Sequence, residues 1–344
     1  MTKNLKFKER DFALDALKAL AIVMVVMIHT SAPGFVSFGE QWHAALFYDS
    51  LSRISVPLFF LVTGALLLPR THSLISIVNR VKLVLIPLLA WSFIYLAWNE
   101  FYHGQHTSAW MKTIIQGPVL HMWFVYSLLG AYIFLPLTSG FFRSSSRKER
   151  VWILAAAGLG SSIIPLFKDV SGQTLLGIDM NYVPIYSLYM MIGAFVYDEG
   201  RAAVSSRRWI FTGLFMWVIG SAATVVGTYS ASISTNKYSV VYFSYYSSSV
   251  VLAATGCFIF FLGIIKKDFS ASWSLPVTYL GRQTLGIYMC HMIPLQLLTE
   301  YVSRTGGLSP WLWYPLIVFL TTISSLLLVV LVQQVPYLRK ICPV

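Results

Sequence analysis

The stretch that decides the fold is Leu14-Asp15-Ala16-Leu17-Lys18-Ala19-Leu20-Ala21-Ile22-Val23-Met24-Val25-Val26-Met27-Ile28-His29. It is apolar enough to form a membrane helix, yet it contains a lysine and a histidine. Ionisable side chains inside a span are unfavourable and usually serve a function. Lys18 and His29 are eleven residues apart, which in a helix is about 16 Å of length and within about 20° of the same face. One helix face therefore carries a cation near one end and an imidazole near the other.

The composition of the whole chain indicates a membrane protein with several spans. Its 344 residues are 57% hydrophobic and 11% charged, whereas a soluble domain has about 25% charged residues. The mean hydropathy is +0.69. The first apolar run follows a charged N-terminus and precedes no small-residue cleavage pattern, so we expect a retained helix rather than a signal peptide. No repeat or soluble domain is visible, and we expect one membrane-embedded domain over residues 1–344.

Ten apolar stretches are long enough to cross a bilayer as helices. They lie near residues 12–31, 44–68, 82–101, 118–138, 150–167, 181–197, 207–228, 240–264, 275–301 and 310–333. The stretch 150–167 is interrupted by Gly158, Gly160 and Pro165. The expected fold is an all-α, polytopic helical bundle of about ten transmembrane helices with both termini in the cytoplasm.

The distribution of lysine and arginine supports this arrangement. With the N-terminus in the cytoplasm, 18 of the 25 cations fall in inner segments, four in outer segments and three inside the membrane. The residues in inner segments are Lys3, Lys6, Lys8, Arg10, Arg70, Arg80, Lys82, Arg143, Arg147, Lys148, Arg150, Arg201, Arg207, Arg208, Lys266, Lys267, Arg339 and Lys340; those in outer segments are Lys112, Lys168, Lys237 and Arg304. Cations are normally enriched in cytoplasmic loops. This accounts for the net charge of +12, and we expect no nucleic-acid partner.

The direction of each span assigns a depth to its polar residues. His29, His121 and His291 fall in the outer half of three helices, whereas Lys18 and Arg282 fall in the inner half. This segregation predicts that an anionic ligand enters from the cytoplasm and is held by cations. Acid–base chemistry would occur further out, where an imidazole titrates near neutral pH.

Each of these residues also has a structural alternative. Lys18 can pair with Asp15, three residues earlier. Arg53, near mid-membrane, can pair with Asp49, four residues earlier, at a spacing that places both on one helix face. We expect Arg53 also to face the polar path between the two ends. The histidines can be hydrogen-bonding residues or interface anchors.

Several other kinds of site are not indicated. The histidines lack the paired spacing of a zinc site such as HExxH, and there is no GxSxG turn or P-loop. The three cysteines are scattered, without metal or redox spacing. Aromatic residues make up 15% of the chain, and most fit interface belts and packing. The sequence leaves open whether Trp91, Trp98 or Trp123 stacks on a sugar.

Five blocks in chain order carry a family resemblance. They are Leu14-Asp15-Ala16-Leu17-Lys18 with His29; Arg53-Ile54-Ser55-Val56-Pro57-Leu58-Phe59-Phe60-Leu61-Val62-Thr63-Gly64; Arg80-Val81-Lys82 with Ile86-Pro87; His121-Met122-Trp123-Phe124 with Tyr132 and Pro136; and Gly281-Arg282-Gln283-Thr284-Leu285-Gly286-Ile287-Tyr288-Met289-Cys290-His291. Together they resemble the membrane-bound acyltransferase family 3, bacterial O-acyltransferases of cell-surface glycans. The chain looks most like short members that acetylate enterobacterial common antigen and similar polysaccharides. It departs at Lys18, usually arginine in the family, and lysine lacks the planar fork that binds phosphate.

The resemblance implies an O-acetyltransferase of the bacterial inner membrane. It would take acetyl-CoA as donor substrate, bind no other cofactor, and acetylate a hydroxyl of a surface polysaccharide or its lipid-linked precursor. His29 would be the general base or a transient acyl carrier, with Lys18 as the second catalytic residue. Donor phosphates would bind Lys18, Arg53, Arg80, Lys82 and Arg282. Acceptor binding or acid–base support would come from His121, Trp123, Tyr288 and His291.

Two other functions compete with this interpretation. A transporter or flippase for a lipid-linked glycan would also need intramembrane charges and a polar path, but no inverted repeat is visible. A scaffold protein would have little use for so many buried ionisable groups, each of which costs about 2.5–3.5 kcal/mol on insertion. Release of CoA from labelled acetyl-CoA would distinguish an enzyme from both.

Overall fold

The computed structural model describes residues 11–107, 109–116, 120–175, 183–265, 274–305 and 308–343. Within these ranges every regular element is a helix, so the predicted polytopic helical bundle is confirmed. Some predicted features lie outside the described residues or side chains: Lys3, Lys6, Lys8, Arg10, Lys266, Lys267 and the side chains of Arg201 and Arg304.

Sixteen α-helices are found in the described parts of the chain. They are α1 Phe12–Ser37, α2 Trp42–Ser52, α3 Ser55–Leu67, α4 Leu74–Phe101, α5 Trp110–Gln116, α6 Trp123–Ile133, α7 Leu135–Ser144, α8 Arg147–Gly158, α9 Ile164–Ser171, α10 Ile185–Val204, α11 Arg207–Thr235, α12 Ser248–Ile264, α13 Ser274–Arg282, α14 Thr284–Cys290, α15 Met292–Thr305 and α16 Pro310–Gln334. Short 3₁₀ turns at Leu120–Met122, Val241–Phe243 and Leu338–Ile341 and a π-turn at Leu159–Ile163 complete the described elements.

Each of the ten predicted spans coincides with a helix or a run of helices, but not all are long and straight. Among the described residues seven helical segments are long and apolar enough to cross a membrane, or eight if α6 and α7, bent by 55°, form one span. The predicted span 181–197 is the shorter α10, and 275–301 is divided into α13, α14 and α15. The cytoplasmic placement of both termini stays a prediction.

Helix α1 lies at the centre of the bundle. Its N-terminus is capped by Asp11, whose Oδ1 accepts a hydrogen bond of 3.1 Å from the Ala13 backbone, as expected for a helix start. It packs against α2, α3, α13, α14 and α16. Its buried alanines, such as Ala13 and Ala21, allow the close helix contacts that stabilise membrane bundles. The central position brings both Lys18 and His29 next to several other helices.

Two helix breaks occur beside proline. Arg53 lies between α2 and α3, and His291 lies between α14 and α15. Pro57 and Pro294 each lack the N–H that would bond the carbonyl four residues earlier, so each interrupts its helix at this point. Broken helices at membrane depth are tolerated where they line a cavity or are buried in protein, and these two breaks carry two of the predicted site residues.

Candidate active site

Three histidines meet where α1, the Leu120–Met122 turn and the α14–α15 break converge. The ring centroids of His29 and His121 are 5.5 Å apart, and those of His29 and His291 are 5.2 Å apart. The rings of His121 and His291 are closer, at 4.6 Å. We call these three residues the histidine cluster. The structure thus brings together the residues that sequence depth had placed in the outer half of three separate spans.

One backbone carbonyl orients two of these rings. The Tyr288 carbonyl accepts a hydrogen bond of 2.8 Å from His121 Nε2 and another of 2.8 Å from His291 Nδ1. In return, the Tyr288 hydroxyl donates to the His121 carbonyl. Because a carbonyl only accepts, these bonds place the ring proton of neutral His121 on Nε2 and that of neutral His291 on Nδ1.

The opposite ring nitrogens are buried without a partner in the described structure. They are His121 Nδ1 and His291 Nε2. Leaving a buried polar atom unpaired costs about 1–3 kcal/mol, and such atoms in a folded protein call for an explanation such as a ligand or a catalytic role. Both nitrogens are hydrogen-bond acceptors in these tautomers, so the cluster is suited to receiving protons or substrate hydroxyls.

Tyr95, a buried tyrosine on α4, packs against the histidine cluster. The Tyr95 hydroxyl donates a hydrogen bond of 2.7 Å to the Met289 carbonyl, one residue from Tyr288. Its ring also meets that of His121 edge-on at 5.4 Å. Tyr95 is fully buried, so it fixes α14 against α4 and holds the histidine rings in place.

His29 borders two cavities. The first, the outer cavity, has a volume of about 570 Å³. It is lined by His29 and Pro33 of α1, by Tyr102 and His103 beyond the end of α4, and by Met292, Leu295, Gln296, Thr299 and Glu300 of α15. The second, the Arg53 cavity, has a volume of about 390 Å³ and is lined by residues including Val25, His29, Arg53, Trp123, Tyr245 and Tyr288. In the described structure His29 has ring contacts but no hydrogen-bond partner, which leaves its nitrogens available to either cavity.

Arg53 is both paired and directed at a cavity. Its guanidinium lies 2.6 Å from the Asp49 carboxylate, which is fully buried, and 4.1 Å over the centre of the Phe243 ring. Arg53 also lines the cavity that contains His29. The ion pair and the cavity-facing position therefore coexist, and the structural alternative does not exclude the functional one.

The cations predicted at the inner end are less organised. Lys18 Nζ lies 2.6 Å from Asp15 Oδ1, and its side chain is 20% exposed, so the predicted alternative pair is present. Gly281 packs so closely against the Asp15 carbonyl that a side chain there would clash with it. The neighbouring Arg282 therefore lies at the same end of α1 as Asp15 and Lys18. Arg282 itself is exposed.

The other two cations predicted for the donor lie on a different helix. Arg80 is half-buried and Lys82 is exposed on α4, which packs mainly on α6 and the Leu338–Ile341 turn, and less on α5 and α14. We call Lys18, Arg80, Lys82 and Arg282 the inner cations. The structure brings Lys18 and Arg282 to the same end of α1.

The comparison with protein families decides the class of the protein. A family model described as an acyltransferase domain matches residues 11–330, which include all the residues of both cavities. The chain belongs to acyltransferase family 3. No curated protein and no solved structure shows a match. The chain is therefore a membrane-embedded acyltransferase, and the family favours this activity over the transporter and scaffold alternatives.

Several residues that line the two cavities were not among the predicted site residues. Tyr245 lines the Arg53 cavity, and Tyr102, Gln296 and Glu300 line the outer cavity. Tyr245 and Tyr102 sit near predicted span ends, where aromatic residues commonly form interface belts. Glu300 could have been noticed in the sequence as a candidate site residue, because a carboxylate at the end of a span is uncommon in a chain with only 13 acidic residues.

Proposed function

We propose that this acyltransferase moves an acetyl group from acetyl-CoA to a hydroxyl of a cell-surface polysaccharide, or of its lipid-linked precursor, in the bacterial inner membrane. The observation that carries the proposal is the position of His29 between two cavities. A transferase must hold a donor and an acceptor on opposite sides of one reacting centre. The similarity of the motifs to members that acetylate enterobacterial common antigen supports this acceptor class.

The donor is assigned to the side of the inner cations and the Arg53 cavity. Coenzyme A carries several phosphate charges, and cations are the usual partners of phosphate. The inner cations would bind these phosphates, and the thioester would reach the Arg53 cavity along α1. Lys18 lies eleven residues before His29, about 16 Å along the helix. The bound CoA must therefore be extended, so that its phosphates contact Lys18 while its thioester reaches His29.

His29 is assigned the proton transfer. In direct transfer its unprotonated nitrogen takes the proton of the acceptor hydroxyl while the hydroxyl oxygen attacks the thioester carbonyl carbon. The tetrahedral intermediate then collapses, the carbon–sulfur bond breaks, and the CoA thiolate leaves and takes up the proton. In the alternative route the acetyl group first moves to a nitrogen of His29 and then to the hydroxyl. Both routes need His29 at the junction of the two cavities.

The neighbouring groups support this step. The guanidinium of Arg53 would stabilise the negative charge that develops on the thioester oxygen, an effect that is large where water is excluded. The unpaired nitrogens of His121 and His291 would accept a hydrogen bond from the acceptor or relay its proton. Trp123 and Tyr288 would shape the cavity in which the reaction occurs.

Comparing surface polysaccharides from cells with and without the gene tests the proposal. Mass analysis should show that the polysaccharide loses the mass of acetyl groups when the gene is deleted and regains it on complementation. Complementation with a His29→Ala gene, expressed at the same level, should not restore it. Identical acetylation in the deleted and complemented strains would contradict the proposed function.

A further inference from the structure

Besides His29, the outer cavity contains polar side chains that the acyl-transfer step does not use, among them Tyr102, Gln296 and Glu300. It lies on the Pro33 side of His29 and reaches the surface near Tyr102 and Glu300, which are both exposed. None of its described lining residues is a lysine or an arginine. A polyphosphate donor would lack charge partners here, so the donor belongs on the other side of His29 and this cavity is left for the acceptor.

Gln296 presents a defined hydrogen-bond donor in this cavity. The Trp98 indole Nε1 donates to Gln296 Oε1 over 2.8 Å, and His103 Nε2 lies 3.3 Å from the same oxygen. An indole N–H can only donate, so it must meet the amide oxygen and not the amide nitrogen. The amide group of Gln296 is therefore held in one orientation. Its NH₂ end has no hydrogen-bond partner in the described residues.

The other groups of the cavity are an aromatic platform and a carboxylate. The rings of Trp98 and Tyr102 are stacked at 4.3 Å with an angle of 14° between their planes. The Tyr102 hydroxyl donates a hydrogen bond of 2.8 Å to Glu300 Oε2. These bonds hold the Tyr102 ring and the Glu300 carboxylate together at the cavity mouth, so both are set in place before a ligand arrives.

We infer that Tyr102, Gln296 and Glu300 form a binding subsite for an uncharged sugar ring of the acceptor, one of whose hydroxyls then reaches His29. A sugar presents hydroxyls that both donate and accept, together with apolar C–H faces. The carboxylate accepts from a hydroxyl, the Gln296 amide donates to one, and the Tyr102 ring contacts the C–H face. Glu300 is the one acidic residue among the described lining residues, so it disfavours a sugar that itself carries a carboxylate.

This inference rests on the proposed function for the direction of transfer, but its test does not depend on catalysis. The full-length protein in nanodiscs, without acetyl-CoA, is titrated with methyl β-glucoside and with methyl β-glucuronide, and binding is followed by saturation-transfer NMR. The two probes differ by a carboxylate. The wild type should bind the glucoside about fivefold more tightly, as expected for repulsion between two nearby charges in contact with water.

Three variants test which side chains cause the difference in binding. Glu300→Gln keeps the size of the side chain and an acceptor for Tyr102 but removes the charge, so it should abolish the preference for the glucoside. Tyr102→Leu should weaken binding of both probes about fivefold, because it removes the aromatic face. Tyr301→Leu is the matched control, since Tyr301 is exposed on the same helix as Glu300 and does not line the cavity; it should bind like the wild type.

The inference is overturned if the wild type binds both probes equally, if Glu300→Gln keeps the preference, or if Tyr301→Leu is as impaired as Tyr102→Leu. These outcomes can be separated from failure of the proposed function. Loss of the binding pattern with acetyl transfer intact would refute only the subsite. The expected binding pattern in a protein that never releases CoA from acetyl-CoA would support the subsite and refute the acetyltransferase.

Discussion

The two ends of α1 differ in how firmly their polar side chains are held. At the outer end, the Tyr288 carbonyl orients two rings of the histidine cluster. At the inner end, the partner of Lys18 within the described part of the chain is Asp15, three residues earlier, and Arg282 is exposed. Polar atoms buried away from water need fixed partners, whereas exposed cations are stabilised by water.

The difference between the two ends of α1 suits two separate roles, proton transfer and binding of a charged ligand. A proton-transfer centre requires groups that are positioned before the substrate arrives, because misplacement slows the reaction. A site that attracts a charged ligand can use flexible cations that become ordered on binding. Under the proposed function, the outer end would carry out the chemistry and the inner end would bind the anionic donor. Substitutions at the two ends should therefore differ in the size of their effects.

The largest effect is expected at the histidine cluster. His29→Ala should lower acyl transfer about 10²–10⁴-fold, the usual loss when a general base is removed. Turnover of labelled acetyl-CoA by purified protein measures it. The fold should persist, since among the described residues His29 makes ring contacts but no hydrogen bond.

The matched control for this change is His43→Ala. His43 is an exposed histidine on α2 and lines neither cavity, so this variant should retain full activity. A His29→Ala protein that is folded and turns over acetyl-CoA like the His43→Ala protein would rule out a catalytic His29.

The next effect is expected at Arg53. Replacing both members of the ion pair, Asp49→Leu with Arg53→Met, removes a buried charge pair, which is often nearly neutral for stability. The double variant should therefore fold, but its turnover should fall about 10²–10³-fold through loss of electrostatic stabilisation in the cavity. Asp49→Leu alone should be less stable than the double variant, because it leaves the partly buried Arg53 cation without its carboxylate partner. Full activity in the folded double variant would show that Arg53 is purely structural.

A smaller effect is expected from two amide substitutions in the cluster. His121→Gln and His291→Asn each place an N–H near the ring nitrogen that bonds the Tyr288 carbonyl, but remove the unpaired ring nitrogen. Both variants should fold, and each should lose about 10- to 100-fold in turnover, equivalent to one strong hydrogen bond. Retained activity in both, measured beside thermal unfolding, would assign these two histidines to structure alone.

The sequence predicted the depth of the site better than its lateral arrangement. Hydropathy and loop charge place a residue along the membrane normal, and this was enough to group the histidine cluster and to separate it from the inner cations. Which face of a span points to which neighbour is poorly encoded, because spans are apolar on all sides. For this reason the sequence did not predict that α4, with Arg80 and Lys82, packs away from Lys18.

Helix breaks were the other feature missed. The predicted span 44–68 is one candidate span, Trp42–Leu67, with a turn at Arg53. The predicted span 275–301 is instead divided into α13, α14 and α15, with His291 between the last two. Pro57 and Pro294 were visible signals. Tyr102 and Glu300 could not be linked from sequence, since 198 residues separate them and only the packing of α4 near α15 brings them together.

The smallest effect is expected at the inner end. Lys18→Ala should raise the KM for acetyl-CoA about tenfold, as for loss of a charge-assisted hydrogen bond, and leave kcat and the acceptor KM little changed. Lys18→Arg should be fully active, because arginine can hold phosphate with two parallel bonds. A membrane-inserted Lys18→Arg protein without activity would instead point to a specific Asp15–Lys18 pair.

The central claim is that His29 joins a donor from the Lys18 end to an acceptor from the outer cavity. Sealed proteoliposomes test it when labelled acetyl-CoA is enclosed inside and a membrane-impermeant polysaccharide acceptor is supplied only outside. Molecules oriented with Lys18 facing the lumen should acetylate the external acceptor, and His29→Ala vesicles should not. Transfer that occurs only when donor and acceptor share one compartment would contradict the account.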